Sequence, residues 1–156
     1  MATRAEVALG TIYRYFPSKD ALLAAVMVEW VTDLERRITR HPPQGETTVD
    51  RVTDVLDRAL SSMGREPKLT NALVSAMTAG DPAGVDAMVE VTQTLARVLQ
   101  SAFPDDVDPA VEASAAKAIG HVWWSATIAW ANGMGGMDWV AGEVREATEL
   151  IAARFD

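Results

Sequence analysis

Cysteine is absent from all 156 residues. Its absence removes disulfide scaffolds, thiolate metal sites and cysteine nucleophiles together. Histidine is nearly as scarce. His41 lies in a Pro- and Gly-containing stretch with no second ligand at useful spacing, and His121 sits in an apolar run where it reads as a hydrogen-bonded core residue. No run of ~18 apolar residues offers a membrane span, and the N-terminus lacks the charged-then-apolar order of a signal peptide. Missing too are a nucleophile paired with a base, a His-Glu metal pair and a phosphate-cradling glycine loop. Asp105-Asp106 and Asp108 resemble a calcium loop in composition only, without its glycine and glutamate, and read as a solvated turn and a helix cap. The expectation is a cytoplasmic protein that is not an enzyme and has no metal, no cofactor and no membrane contact.

Charge is unevenly spread. The net value is −8, yet residues 1–40 carry six cations and five anions, so the remaining 116 residues hold −9. A chain this acidic does not coat nucleic acid with its whole surface. A near-neutral start on an acidic body suits a small DNA-contacting end, and an ordinary acidic globule nearly as well. The length allows one domain with a sizeable core.

Apolar residues recur at three- and four-residue steps almost throughout, and no strand alternation, tandem repeat or low-complexity tract interrupts them. Helices are predicted over 20–37 (stripe Leu22, Leu23, Val26, Trp30, Leu34, Ile38), from Thr48 to Gly64, from Pro67 to about Ala79, and over 82–103 (stripe Val85, Met88, Val89, Thr92, Leu95, Ala96, Leu99). Two more follow, from Pro109 to Ala131 and from an Asp138 cap to Phe155. Gly64 and Gly80 are read as helix stops, and Ser18, Asp81 and Asp108 as caps before helix starts. The fold class is all-α. Thr39 to Glu46, with two prolines and a glycine, forms the boundary between a segment at 1–40 and a helical domain at 41–156.

The most specific stretch is Val7-Ala8-Leu9-Gly10-Thr11-Ile12-Tyr13-Arg14-Tyr15-Phe16-Pro17-Ser18-Lys19. Pro17 disfavours helix at Phe16, so a short helix from Leu9 stops there, and Ser18 starts the next. Hydroxyls, ring faces and a cation on that short helix suit contact with phosphates and base edges. Residues 4–23 resemble the recognition helix and following turn of TetR-family transcriptional regulators. The resemblance implies a partial helix-turn-helix followed by a ligand-binding and dimerisation domain. It assigns DNA contact to Thr11, Tyr13 and Lys19, with Leu9, Gly10, Arg14 and Tyr15 nearby, and makes 20–37 the helix joining DNA-binding part to body.

One departure matters. In the family two helices precede this motif, and here only residues 1–6 do. A recognition helix of about eight residues is not stable without packed neighbours. The expectation is therefore that the reading frame begins upstream of Met1, or that DNA binding is impaired and the chain is a dimeric ligand-sensing or interaction module.

In the body, Trp123, Thr127 and Trp130 form one stripe of the penultimate helix, and Trp124 and Ile128 the adjacent one. Either neighbouring helices cover all of them, or one stripe meets a second subunit. The resemblance favours a homodimer through the last two helices, with Val140, Val144, Ala147 and Ile151 completing the face. The opposite side would line a cavity with Met63, Leu73, Met77, Met88, Leu95, Trp124 and Ile128. A Met-and-Trp wall is also what plain core looks like; the resemblance, whose body domain senses ligands, favours a pocket. Asn71, Thr92, Ser125 and Thr127 are the polar groups available to orient an apolar small molecule. The body further resembles the subgroup controlling sterol and acyl-CoA catabolism, which implies a steroid or acyl-CoA-like ligand. The DNA partner would be a pseudo-palindromic operator.

Overall fold

The computed structural model describes residues 14–80 and 82–156, and among them it is entirely helical. Six α-helices follow in order: α1 Lys19–Arg40, α2 Thr48–Arg65, α3 Pro67–Thr78, α4 Pro82–Gln100, α5 Pro109–Ala131 and α6 Met137–Ala152, with a 3-10 turn at Ala153–Phe155.

The starts are written locally. Ser18, in extended geometry, accepts from the Ala21 N–H at 2.9 Å and opens α1. Thr47 and Asp50 form a reciprocal capping box at α2, satisfying two of the helix's orphan donors. Asp108 accepts from the Ala110 N–H at 2.8 Å, with Pro109 in the first turn of α5. Asp81 lies outside the described residues. Two expected punctuation marks differ. Gly64 stays inside α2, which runs on to Arg65, whereas Gly80 has φ +80° and does end its segment after α3. Gly136, not Asp138, is the cap of α6; Asp138 lies in its first turn, where a carboxylate favours the positive helix end. Helix α1 is longer than expected, ending at Arg40, and α4 is shorter, ending at Gln100 before a turn over 101–103.

Helix α1 packs along α4 and α3; α5 packs on α6 and α4; α6 packs on α2. Sequence neighbours α1 and α2 are not among the pairs whose backbones approach closely. Two apolar clusters result. One joins α2, α5, α6, the ends of α1 and α4 and includes Leu34, Val52, Leu99, Ile119 and Val140. The other joins the first half of α1 with α3 and the first half of α4, through Leu23, Met27, Val31, Leu73, Met77 and Val91.

Helix α4 turns a different face inward from the one its large residues suggest. Gly84, Ala87, Val91, Thr94, Val98 and Leu99 are buried, while Val85 and Val89 are 58% and 53% exposed. The reason is distance. A Cβ on Gly84 would stand 3.0 Å from the Ala76 carbonyl oxygen, so α4 meets α3 through small residues and its bulkier ones point away. No helix among the described residues is long and apolar enough to cross a membrane.

Candidate ligand cavity and DNA-contacting segment

An apolar space opens where α1, α2 and α3 meet. A cavity of about 240 Å³ is lined by Met27 and Trp30 of α1, Ser62, Met63 and Arg65 of α2, Glu66, and Leu69, Thr70 and Leu73 of α3. Its walls are methionine, leucine and indole carbon. The Trp30 indole N–H donates to Ser62 Oγ at 3.1 Å, bridging α1 and α2 where their backbones stand apart. Thr70 Oγ1 is occupied in donating to the Met63 carbonyl at 2.9 Å, so it ties α3 to α2.

Further along the same seam lies a groove between α1 and α2 lined by Leu34, Arg37, Ile38, His41, Asp57, Arg58, Ser61 and Arg65. Its charges are mostly matched. Arg58 pairs with Asp54 and donates to the His41 carbonyl at 2.6 Å, and Arg37 pairs with Asp33 at 3.2 Å. On its other side α1 is held to α4 by Glu35 and Arg97, 2.8 Å apart; that carboxylate raises the Arg97 guanidinium above its ordinary value.

Of the seven residues expected to line a ligand site, Met63 and Leu73 line this cavity. Met77 is buried in the second cluster, and Met88, Leu95, Trp124 and Ile128 are half-buried against it. Leu95 and Trp124 border a separate cleft of about 50 Å³ with Thr92, Lys117 and His121. Met27, Trp30, Ser62, Leu69 and Thr70 were not foreseen. Trp30 carried the one available signal: its indole falls on a helix stripe and needs a hydrogen-bond partner when buried. Among the expected orienting groups, Asn71 donates to the Ala131 carbonyl at 2.7 Å and so joins α3 to α5, while Thr92 and Ser125 are exposed. His121 is exposed as well, not a core residue.

The expected dimer face divides in two. Val140 and Val144 are 0% and 1% exposed, and Trp123 and Thr127 are also buried, within the single protomer. Trp123, Val140 and Val144 belong to the protomer's own core, because α6 packs on both α5 and α2, so their surface is already covered. Trp130, Ala147 and Ile151 are half-buried. What these two helices turn outward is a different set: Val122, Ser125 and Ala129 on α5, Met134 in the turn, and Trp139 and Glu143 on α6 form one groove, with Leu150 79% exposed beyond it.

Of the expected DNA contacts, Leu9, Gly10, Thr11 and Tyr13 lie outside the described residues. Arg14 and Tyr15, ahead of α1, and Lys19, its first residue, are all exposed, with the Arg14 guanidinium 5.7 Å from the Tyr15 ring centroid. Among the described residues no three His, Asp or Glu side chains are grouped to hold a metal.

A helical body and a long helix leading from an exposed N-terminal end past an apolar cavity fit the class of helical, ligand-sensing regulators. Comparison with known proteins agrees. Residues 45–151 match the tetracyclin repressor-like C-terminal domain, and residues 1–26 match the bacterial regulatory proteins of the tetR family. The chain belongs to the TetR family of transcriptional regulators, which are non-enzymatic and in which operator binding and ligand sensing by the C-terminal domain are typical.

The HTH-type transcriptional repressor KstR of Rhodococcus jostii is 30% identical over 151 residues, covering 97% of this chain and 70% of that protein. KstR of Mycobacterium tuberculosis is 28% identical over 130 residues, covering 83% and 59%. The chain thus spans 59% to 70% of the length of these relatives. The crystal structure of a TetR transcriptional regulator from Rhodococcus sp. RHA1 superposes with a TM-score of 0.79 at 26% identity, covering 99% of this chain and 83% of that one.

Proposed function

We propose that this chain is a ligand-responsive transcriptional repressor acting as a homodimer, with the division at residues 1–40 and 41–156 separating DNA contact from sensing. One observation carries the reading: Met27 and Trp30 of α1 form a wall of the apolar cavity, while the same helix begins at the exposed Lys19, shortly after a segment that holds the exposed Arg14 and Tyr15. An apolar molecule entering the cavity pushes on α1 against α2, and the displacement moves the start of α1 at Lys19 together with the DNA-contacting segment joined to it. In a dimer the two such ends must sit one helical turn of DNA apart, about 34 Å, so a small tilt of α1 is enough to break the match. The two KstR relatives, which are named as repressors, support the sign of the regulation. Dimer contact is assigned to the outward groove of α5 and α6, with Trp130, Ala147 and Ile151 at its edges. DNA contact is assigned to Leu9, Gly10, Thr11, Tyr13, Arg14, Tyr15 and Lys19.

The test is a mobility shift on the DNA upstream of the protein's own gene, with salt varied. Binding that weakens steeply with salt, and is lost in Tyr13→Ala or Lys19→Ala, supports the repressor. Dimers that bind ligand but shift no DNA, even at low salt, replace it with a DNA-free sensor.

A further inference from the structure

The cavity specifies more than an apolar occupant. Its neutral polar atoms form an ordered chain. The Trp30 N–H donates to Ser62 Oγ, and the Ser62 hydroxyl hydrogen has no acceptor among the described residues. A hydroxyl that accepts one bond donates a stronger one, because hydrogen bonds in series polarise each other. Because Ser62 lines the cavity, a group that completes this chain from inside it is an acceptor. Thr70 offers no second donor, since its hydroxyl is committed to Met63.

Charge and size narrow the ligand further. Arg65 and Glu66 both border the cavity, so its rim carries no net ion to match a charged head group, and burying an unmatched charge is costly. About 240 Å³ lies below the ~300–1,000 Å³ of sites for drug-sized molecules. Past Arg65 the seam is bounded by Arg37, His41, Asp57 and Arg58, which present charge where an apolar tail would have to go.

We infer that the cavity takes a compact, uncharged, mainly apolar molecule whose carbonyl oxygen accepts a hydrogen bond from Ser62, with Trp30 positioning and polarising that serine. Met27, Met63, Leu69 and Leu73 enclose the hydrocarbon part. The inference rests on the sensing role proposed for this cavity and commits that role to one ligand chemistry. It also makes Ser62 the residue that separates a carbonyl compound from the hydrocarbon of the same shape.

The experiment titrates the full chain with cyclic and unbranched ketones of roughly seven to ten carbons, chosen smaller than drug-sized ligands to suit a cavity of about 240 Å³. The matched hydrocarbons and a steroid ketone are run beside them. Readouts are calorimetry and the indole N–H resonance of Trp30, assigned by its loss in Trp30→Phe. The expected result is that ketones bind about tenfold or more tighter than their hydrocarbons, a difference of one hydrogen bond, and shift the Trp30 resonance. Ser62→Ala erases the ketone preference while still binding the hydrocarbon; Trp30→Phe weakens it in part. Equal binding of ketone and hydrocarbon overturns the carbonyl assignment while leaving an apolar sensing cavity. Tight binding by the steroid ketone alone overturns the size limit and again leaves the cavity as the sensor. If no ketone, hydrocarbon or steroid binds and Leu69→Phe changes no ligand response of DNA binding, the sensing role of the cavity falls with the inference.

Discussion

The two apolar clusters are built from different materials and do different work. The first, around α2, α5 and α6, has a centre of branched aliphatic side chains that water does not reach: Val52, Val55, Leu99, Ile119 and Val140 are all 0% exposed, with Met63, Phe103 and Trp123 buried around them. It is also tied at its edge, where Arg51 donates to the Ala102 carbonyl at 2.8 Å and Phe103 meets Phe155 edge-to-face at 5.2 Å. The second, around the front half of α1, mixes Leu23, Val31, Leu73 and Val91 with Met27, Met77 and half-buried Met88 and Trp124, and the 240 Å³ cavity lies at its border with the first, lined by Met27 and Leu73 from one and Met63 from the other. Thioether chains adapt to varied shapes, whereas close-packed branched residues have few alternatives. A regulator needs both: a frame that stays fixed and a region whose packing an occupant alters.

That contrast is breakable by paired truncations. Leu99→Ala in the closed cluster should cost about 3–5 kcal/mol, because little can collapse into the void. Leu73→Ala, which only enlarges an existing cavity, should cost nearer to ~2 kcal/mol. Urea unfolding measures both, and equal losses would mean that the two clusters are equally rigid.

The next effect tests whether α1 begins where its cap says. Ser18→Ala removes the acceptor for the Ala21 N–H and should cost about 1 kcal/mol. Because the loss falls at the start of α1, hydrogen exchange should rise in its first turns more than in α2. Uniform exchange would show α1 to be coupled to the frame along its whole length.

Filling the cavity should act in the opposite direction. Leu69→Phe adds ring surface to a half-buried wall position and should raise stability by roughly 0.5–1 kcal/mol while blocking ligand. A rise in melting temperature with ligand response intact would place the sensor elsewhere.

The smallest effect concerns acid. Asp50 is held below its ordinary value by hydrogen bonding with the Thr47 hydroxyl, then by the Thr47 backbone N–H. A carboxyl whose folded value is depressed adds stability above its unfolded value, and that part is lost as pH falls through the folded value. Asp50→Asn should therefore flatten the acid limb of the stability profile slightly, and a profile identical to that of the parent would show the capping box to be inert.

Legibility was uneven for physical reasons. Caps were readable where one side chain does the job within a few residues: Ser18 and Asp108 act on N–H groups three and two positions ahead. The inward face of α4 was not readable. Large apolar residues at helical spacing mark a stripe, but Gly84 and Ala87 are buried because α3 comes close there, and closeness belongs to the pair of helices. Val140 and Val144 follow the same rule. Their spacing announces an apolar seam, yet whether it meets another subunit or α2 depends on which helix lies beside it. Little of the cavity was legible: Met63 and Leu73 are the two of its nine lining residues that were expected, and Trp30 with Ser62 depends on α1 and α2 standing apart.

The sequence alone determined the all-helical class, the order and approximate ends of the helices, and the family, because each of these rests on local spacing or on a contiguous motif. The tertiary structure alone decided which face of each helix is inside, where space is left between them and which side chains meet across it. Those depend on distances between elements far apart in the chain, and no local periodicity encodes an interhelical gap.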